Sequence, residues 1–227
     1  MISFPKSNRT IKFLIALLFS LLSLSIVKSE YIPPEEILDR MTLSIYGLSS
    51  YRCKVKINAN VIDFGISVSL NGTVYFKEPN KLALKLEDLP LDIQDKYKIS
   101  FTQTAVPGMV SKTYKEKYKA KFVGVKNFTG NRKVYVLHME PYKKSSVQSV
   151  LMFVDSQNYT IPRAIIFYRD GGKVTIDQVY SRIQEYYLPS KQEVFFDFSK
   201  VRANLVSEFY DYEINIPVED SIFENKK

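Results

Sequence analysis

The sequence has one cysteine, Cys53, and one histidine, His138, in 227 residues. One cysteine cannot form an internal disulfide, and one cysteine with one histidine cannot supply the ligands of an ordinary zinc site. Cys53 alternates with Tyr51 and Val55, which indicates a small buried apolar side chain. His138 lies in the strand-like stretch VYVLHME, where a structural role is usual. We therefore expect no metal and no cofactor.

The motifs of common catalytic sites are missing as well. The chain has no G-x-S-x-G nucleophile turn and no phosphate-binding glycine loop. Its carboxylates are scattered, and Asp92 and Asp95 do not form a specific acid–base pair. We expect that the protein is not an enzyme. A catalytic domain would need a polar cluster inside a cavity, and the strand patterns indicate none.

Long apolar runs are missing too, because the longest, residues 13–27, is shorter than the roughly 20 residues that span a bilayer as a helix. Three basic residues precede this run. The small residues Val27 and Ser29 stand at the −3 and −1 positions of a cleavage site. This order is typical of a secretory signal peptide over residues 1–29, which leaves residues 30–227 as a single domain. An uncleaved N-terminal anchor is the alternative.

Charge of one sign is not in large excess. The net charge is +8, and four basic residues and no acidic residue belong to the predicted signal peptide. The remaining charge is too small to indicate nucleic-acid binding. Lysines are concentrated between Lys112 and Lys126, with Tyr114 and Tyr118 among them. They either protect an edge strand from aggregation or contact anionic lipid head groups or an acidic partner.

One helix is predicted near the start of the mature chain. Pro33 and Pro34 suit its first turn, as do the two acidic residues that follow. Apolar residues then recur at steps of three and four: Ile37, Leu38, Met41, Ile45 and Leu48. Gly47 and the serines after it predict the end of the helix.

Alternation with a period of two dominates the rest of the sequence and predicts strands. Hairpin turns are predicted at Asn71-Gly72 and at residues 170–172, and a loop is predicted around Pro107-Gly108. The predicted strands cover residues 51–61, 66–70, 74–76, 82–86, 97–101, 119–125, 134–139, 147–154, 163–168, 174–183, 192–198 and 204–214. Short turns between successive strands indicate an antiparallel meander.

Tyrosine and phenylalanine are abundant on these strands, with 16 and 15 residues, and tryptophan is absent. A core would account for many of them. A strongly curved sheet, however, encloses more apolar surface than its own side chains fill, which indicates a ligand cavity.

Four stretches resemble a known family, and they occur in the order that the family has. They are GTVYFKEPN from Gly72, KFVGVKNFTGNRKVYVLHMEPY from Lys121, VLMFVDSQNYTIPRAIIFYRDG from Val150 and YEINIPVEDSIF from Tyr212. Together they resemble the LolA-type outer-membrane lipoprotein carriers and lipoprotein-sorting proteins. The resemblance implies a mainly β fold: an unclosed antiparallel β-barrel of roughly eleven strands, with the N-terminal helix as a lid over an apolar cavity.

The family pattern departs from this sequence at two positions of the first stretch. An arginine before Pro-Asn holds the lid of the lipoprotein carrier, and the matching residue here is Glu78; a strand tryptophan is matched by Tyr75. A carboxylate cannot donate hydrogen bonds as a guanidinium does. We expect Glu78 at the rim of the cavity, in contact with solvent, a backbone amide or a lysine.

The resemblance and the alternation together lead to a functional prediction. The protein is expected to be a monomeric periplasmic carrier that shields the acyl chains of a lipid or acylated protein, with membrane-associated donor and acceptor proteins as partners and no nucleic acid. A regulatory sensor or binding module of the same fold is the alternative. Val74 and Phe76 are expected to share a face with Leu82, Leu84 and Leu86. The predicted lipid-binding residues are Met41, Ile45, Val55, Ile57, Val74, Phe76, Leu82, Leu84, Phe153, Phe167, Phe196 and Phe198.

Overall fold

A computed structural model of the chain describes residues 31–79, 81–88, 99–102 and 113–224, and the backbone alone for 99–102. The predicted signal peptide and the predicted loop around Pro107-Gly108 lie outside these residues. None of the helices in the described part of the chain has the length and apolar content of a membrane-spanning segment.

The predicted N-terminal helix is present as α1, Pro34–Leu43. A proline in its first turn and two acidic residues next to it favour this start. The side chains of Ile37, Leu38 and Met41 are buried, as the apolar spacing predicts. The helix ends before Gly47, but Ile45 and Leu48, in the turns that follow, are buried in the same core.

Apart from short 3₁₀ turns, the other described residues form one sheet of eleven strands and a four-residue helix, α2, Tyr114–Lys117. The strands are β1 Ser50–Val61, β2 Ile66–Lys77, β3 Lys81–Leu86, β4 Ile99–Thr102, β5 Tyr118–Asn127, β6 Lys133–Pro141, β7 Val147–Asp155, β8 Arg163–Tyr168, β9 Lys173–Ile183, β10 Tyr186–Phe198 and β11 Val201–Ile214. Of the strand predicted at residues 97–101, the first two residues lie outside the described ranges, and the rest falls within β4.

Neighbouring strands in this sheet are antiparallel, and their order is β4-β3-β2-β1-β11-β10-β9-β8-β7-β6-β5. The first long strand therefore pairs with the last, so that Ile57 lies opposite Ser207. Among the described residues, β4 and β5 are the two edges, and the sheet does not close into a barrel. The prediction of an unclosed antiparallel sheet with an N-terminal helix is confirmed.

The two faces of the sheet differ in polarity because side chains alternate along each strand. On β1, Tyr51, Cys53, Val55 and Ile57 are buried, whereas the residues between them, an arginine and two lysines, are exposed. We call the face that bears these four residues the inner face and the opposite face the outer face. The inner face and α1 contribute to one apolar core.

The predicted common face of β2 and β3 is confirmed. Val74 lies opposite Leu84, and Phe76 lies opposite Leu82. Val74, Phe76 and Leu82 are buried in the core, and Leu84 and Leu86 are partly buried against it. Since directly opposite residues in an antiparallel pair point to the same face, the register places the five side chains on the inner face.

The hairpin turn predicted at Asn71-Gly72 is wrong, because β2 runs through both residues without a break. The chain reverses earlier, in a short 3₁₀ turn at Ile62–Phe64 that ends at Gly65, whose φ is 63°. Gly72 serves a different purpose: a Cβ atom there would lie 2.7 Å from the backbone oxygen of Lys85. Glycine therefore allows the close approach of β3. The turn predicted at residues 170–172 does connect β8 to β9.

Candidate functional site

The inner face encloses a cavity of about 180 Å³ between β1, β2 and β3 on one side and β9, β10 and β11 on the other. Most of its wall is apolar. Val55 and Phe209 are opposite each other on β1 and β11, and Val74 and Leu84 are opposite each other on β2 and β3. Leu205 extends this wall along β11. Such a wall suits hydrocarbon.

One row of the wall is polar. Gln178 on β9 lies opposite Gln192 on β10, and Gln192 lies opposite Ser207 on β11, so that three neighbouring strands each place a polar side chain at the cavity. Gln178 is 5% exposed and Ser207 is 4% exposed. The hydroxyl of Tyr180 donates a hydrogen bond of 2.7 Å to the Gln178 side-chain oxygen. We refer to Gln178, Gln192 and Ser207 as the polar row.

Sequence reasoning missed the polar row, although a signal for it exists. Gln178 has the same parity as Ile176, and Gln192 has the same parity as Val194, both of which are buried on the inner face. A polar residue at an inward position of a strand is therefore the feature to look for. The row contains no nucleophile–base pair, and its three side chains are uncharged.

Two tyrosines line the cavity at its other end. The Tyr212 hydroxyl donates to the backbone oxygen of Pro189 at 2.6 Å, and the Tyr51 ring stacks on Phe76 with 5.1 Å between ring centres. Burial raises the pKa of Tyr51 and, helped by nearby Cys53 and Tyr51, the pKa of Tyr212, both well above that of a free tyrosine. Both phenols are therefore neutral at physiological pH.

Cys53 lies beside this end of the cavity and is 1% exposed. Burial raises the pKa of its thiol to about 12, so that the thiol is protonated at neutral pH. The described residues that line the cavity include no aspartate, glutamate, lysine, arginine or histidine. The lining formed by the described residues is consequently uncharged throughout the physiological range.

The predicted lipid-binding residues lie in four different environments. Five of them line the cavity: Val55, Ile57, Val74, Leu82 and Leu84. Three are buried in the core nearby: Met41, Ile45 and Phe76. Phe196 and Phe198 lie on the inner face of β10 and are partly buried against the core.

Phe153 and Phe167 do not point into the cavity, and the prediction that they line it is wrong. On β7 the buried neighbours Met152 and Val154 occupy the inner face, and on β8 Ala164 and Ile166 do so. Strand alternation therefore turns both phenylalanines to the outer face. There the Phe153 ring lies 6.4 Å from that of Phe128, which shelters it from solvent.

Glu78 follows the end of β2 and is half-buried. Its backbone N–H donates to the backbone oxygen of Ser49 at 2.9 Å, and this bond connects the sheet to the segment that follows α1. The expectation that its side chain stands at the rim and influences the lid remains a prediction.

Helix α1 is held mainly by apolar burial. Its polar contacts are exposed: Arg40 donates to the Tyr159 hydroxyl at 3.0 Å, and Asp39 forms an ion pair with Lys115. Exposed ion pairs contribute little to stability. Burial of Ile37, Leu38 and Met41 contributes roughly 1.5–3 kcal/mol for each side chain. Displacing α1 therefore requires an apolar substitute for these contacts.

The lysine-rich segment contributes to the edge strand β5. Lys112 lies outside the described residues, Lys115 contacts α1, and Lys121 lies 3.6 Å from the Glu140 carboxylate. Tyr118 is partly buried, whereas Lys119 and Lys121 are exposed, which fits an edge strand whose outer face contacts solvent. Protection of the edge and contact with an anionic partner both stay open.

The apolar inner face continues beyond the cavity toward the turn between β1 and β2. Val68 lies opposite Ala59, Ile66 lies opposite Val61, and the two β2 residues are 43% and 52% exposed. Phe64, within the turn itself, is 67% exposed. The cavity is thus one part of a longer apolar surface.

The sequence matches no protein-family model and no curated protein. Solved structures do match the fold. A LolA superfamily protein of Nitrosomonas europaea aligns with a TM-score of 0.62 at 14% identity, covering 86% of this chain and 98% of that one. An outer membrane lipoprotein-sorting protein domain of Vibrio parahaemolyticus aligns with a TM-score of 0.63 at 14% identity, covering 83% and 94%. A DUF1329 family protein of Desulfovibrio piger aligns with a TM-score of 0.66 at 11% identity, covering 86% and 98%.

These likenesses first define a class of architecture, an open antiparallel sheet with a helix packed in the core of its inner face. Within that class, the chain has the fold of the LolA superfamily and of outer membrane lipoprotein-sorting proteins. The resemblance noted in the sequence is confirmed at the level of the fold.

Proposed function

We propose that residues 30–227 form a single extracytoplasmic domain that binds the acyl chains of a lipid or acylated protein at the inner-face cavity and carries them through water. The observation that supports this most strongly is the cavity beside the core that α1 shares with the sheet, because the described residues that line it are uncharged and largely apolar. The fold shared with lipoprotein-sorting proteins supports it as well. No catalytic step is part of the proposal.

The physical need for such a carrier follows from the hydrophobic effect. Each exposed CH₂ group costs about 0.8 kcal/mol, so a 16-carbon chain costs on the order of 12 kcal/mol in water. A chain of this kind leaves a membrane at a useful rate only if another apolar surface receives it. Release likewise needs an acceptor of similar apolarity, which we take to be a membrane or a membrane-associated protein.

Cavity size indicates that binding requires a change in the protein. The present volume of about 180 Å³ is smaller than the roughly 300–1,000 Å³ typical of ligand sites. Ile37, Leu38 and Met41 fill neighbouring space within the same core. We propose that α1 moves away as the ligand enters, and that acyl chains replace the contacts of these three side chains.

A pair of adjacent residues on β11 provides a direct test. Leu205 lines the cavity, and Val206 is similarly half-buried but points to the outer face. Leu205→Asp should abolish binding of N-phenyl-1-naphthylamine, an uncharged dye that fluoresces in apolar sites, because a buried unpaired carboxylate is costly. Val206→Asp is the matched control and should bind like the unmodified protein.

Fluorescence titration measures both variants, and native mass spectrometry of protein purified from its own host identifies the natural ligand. Equal loss of dye binding in the two variants would mean that the effect comes from general destabilisation. Absence of dye binding and of co-purified lipid in the unmodified protein would contradict the proposal.

A further inference from the structure

Strand β5 has a backbone edge that is open within the described part of the chain, where its only neighbouring strand is β6. The backbone oxygen of Lys117, just before β5, accepts a hydrogen bond of 2.9 Å from the N–H of Tyr142, just after β6. Hydrogen-bonded and non-bonded pairs alternate along an antiparallel ladder. The backbone N–H and C=O groups of Ala120 and Phe122 therefore point away from β6, toward the open edge.

The regular part of this edge is short. At one end, the N–H of Tyr118 donates to the backbone oxygen of Tyr114 in α2. At the other end, the register with β6 shifts between Phe122 and Gly124, and such a bulge bends a strand and interrupts pairing. Residues 118–122, which we call the edge segment, can therefore pair with a partner segment of about five residues.

The two faces of the edge segment differ in chemistry. Lys119 and Lys121 are exposed on the outer face, whereas Ala120 and Phe122 are partly buried against the core on the inner face. The ring of Tyr31 lies 5.6 Å from that of Phe122 and is 69% exposed, so it extends the apolar side. A segment paired with β5 would meet lysines on one face and apolar side chains on the other.

Positive charge is in excess beside the edge segment. Lys119 forms no ion pair with the described residues, and the Glu140 carboxylate lies 3.6 Å from both Lys121 and His138. Two more exposed lysines, at positions 143 and 144, follow the residue that bonds to Lys117. Like charges on adjacent strands are destabilising, so β5 of a second copy would be repelled. An acidic segment would be attracted.

An anionic bilayer would attract these lysines as well, but it does not complement the backbone of the edge. Sheet edges with unpaired N–H and C=O groups do not enter hydrocarbon, because lipid offers them no hydrogen-bond partner. An extended peptide satisfies the lysines and the backbone groups of Ala120 and Phe122 together.

We infer that β5 binds an extended segment of an acidic partner protein, which pairs with the edge segment and adds a strand to the sheet. Acidic side chains of this partner lie next to Lys119 and Lys121, and apolar side chains lie next to Ala120 and Phe122. The resulting pattern, apolar-acidic-apolar-acidic-apolar, reads the same in both directions. It therefore applies to a parallel and to an antiparallel segment. This surface does not involve the cavity, so the inference does not depend on the proposed function.

The first test follows amide hydrogen exchange by NMR with the end-blocked peptide TVEVEVT. Its control is TVVEEVT, which has the same composition without the alternation. The amides of Ala120 and Phe122 should exchange rapidly in the protein alone, and about tenfold or more slowly when TVEVEVT is bound but not in the presence of TVVEEVT. The amides of Lys119 and Lys121, which bond to β6, should be slow throughout. Slow exchange of Ala120 and Phe122 in the protein alone would mean that the edge is already covered and would overturn the inference.

A reversal of charge gives the second test, with affinities measured by fluorescence anisotropy. Lys119→Glu with Lys121→Glu should weaken binding of TVEVEVT about tenfold or more and create binding of TVKVKVT. Lys126→Glu with Lys144→Glu makes the same change of charge at exposed positions outside the edge segment and should alter binding by no more than about twofold. Circular dichroism checks that each variant is folded.

Equal losses in the two double variants would mean that the peptide is held by long-range attraction without strand pairing, and the inference would be overturned. It would also be overturned if phosphatidylglycerol vesicles bind through Lys119 and Lys121 while TVEVEVT does not bind, because the lysines would then serve a membrane surface.

Discussion

At Gly72, strand β3 approaches β2 so closely that no side chain fits. A Cβ atom at this position would lie 2.7 Å from the Lys85 backbone oxygen and 3.2 Å from a Leu84 methyl group. Backbone atoms of a paired strand cannot move away without breaking the pairing of β2 with β3. The absence of a side chain at Gly72 is therefore a requirement of the sheet next to the cavity.

We predict that Gly72→Ala lowers the free energy of unfolding by about 1–3 kcal/mol, the usual cost of overpacking. Urea denaturation monitored by circular dichroism measures this change. Asn71→Ala, at the exposed neighbouring position, should change stability by no more than about 0.5 kcal/mol. A Gly72→Ala protein as stable as the unmodified one would show that β3 can shift without loss.

Glu78 is the second residue with a specific expectation. Its backbone N–H already donates to the backbone oxygen of Ser49, in the segment that follows α1. An arginine at position 78 could donate hydrogen bonds to backbone oxygens of this segment, which a carboxylate cannot do. We predict that Glu78→Arg slows release of the dye to lipid vesicles by a factor of about three to ten, equivalent to roughly one hydrogen bond.

Stopped-flow fluorescence measures this release rate. Glu78→Ala removes the carboxylate without adding a donor and should release the dye at the rate of the unmodified protein. Release from Glu78→Arg that is equally fast or faster would exclude position 78 as a control point of the lid.

At the scale of elements, α1 differs from the strands, because side chains rather than backbone hydrogen bonds attach it to the sheet. Its backbone bonds are internal, and its exposed contacts to the rest of the protein, such as Asp39 with Lys115, are individually weak. The proposed function requires this helix to move, and a short covalent link should prevent it.

We predict that linking α1 to α2 blocks uptake of the dye. The double variant Asp39→Cys with Lys115→Cys, joined by bismaleimidoethane, should lose most of its uptake rate, because these two exposed side chains are in contact in the closed form. The same variant without the linker is the control. Cys53 is buried and protonated, so it should not compete for the reagent. Unchanged uptake after complete linkage would mean that ligand enters without movement of α1.

Elements differ in how well local sequence predicts them. Strands β5 to β11 have clear alternation and well-marked turns, and the sequence predicts their ends to within three residues except for β10, which begins at Tyr186, six residues before the predicted start. The turn prediction at Asn71-Gly72 fails because this dipeptide, which favours a turn, also occurs within a strand where a neighbouring backbone approaches closely. The prediction for Phe153 and Phe167 fails because it places large apolar side chains in the interior. Their sequence neighbours are buried instead, and strand alternation then places both phenylalanines on the outer face.

The candidate site depends on information that no single strand contains. Gln178, Gln192 and Ser207 form a row only because β9, β10 and β11 pair in one particular register. The pairing of β1 with β11, which brings Val55 to Phe209, joins residues from opposite ends of the chain. Local alternation determines which face a side chain occupies, but the register between strands determines which side chains meet.

At the scale of the whole molecule, ionisation sets the pH range in which the protein is stable. Four surface carboxylates have a pKa below the ordinary value: Asp63, Glu87, Glu213 and Asp220. The main cause at each is a hydrogen bond from the side chain of an arginine or a lysine. The folded state therefore binds fewer protons than the unfolded state near these pKa values. The stabilisation is present above the unfolded-state pKa values, 3.8 for aspartate and 4.5 for glutamate, and is lost as the pH falls through the folded-state values.

We predict that stability changes little between pH 6 and pH 8 and declines below about pH 4.5. Urea denaturation at a series of pH values measures this. Arg202→Gln removes the guanidinium that pairs with Asp63, although the backbone N–H of residue 202 still donates to this carboxylate, and should make the acid decline less steep. An identical acid profile in this variant would show that the Asp63–Arg202 pair has no net effect.

At alkaline pH the sign is reversed, because burial raises the pKa of Cys53, of Tyr51 and of Tyr180. Their neutral forms are favoured in the folded state, so the folded protein loses stability as the pH rises above 9, the ordinary value for the thiol, toward about 12. We expect Cys53→Ala to reduce this alkaline loss. The measurement is the same denaturation series, extended to pH 11.

The rate at which the Cys53 thiol is alkylated also reports how often the inner face becomes exposed. At pH 8 a group with a pKa near 12 is ionised in about one molecule in ten thousand, and Cys53 is shielded as well, so alkylating reagents have almost no access to it in the closed form. Alkylation then proceeds at the rate at which the protein exposes its inner face. Any component of its compartment that opens the protein, whether a membrane or a partner, will accelerate the labelling, and a bound lipid that fills the cavity will slow it. Mass spectrometry of the labelled protein can therefore test for the proposed donor and acceptor in fractions of that compartment by their effect on Cys53 alone.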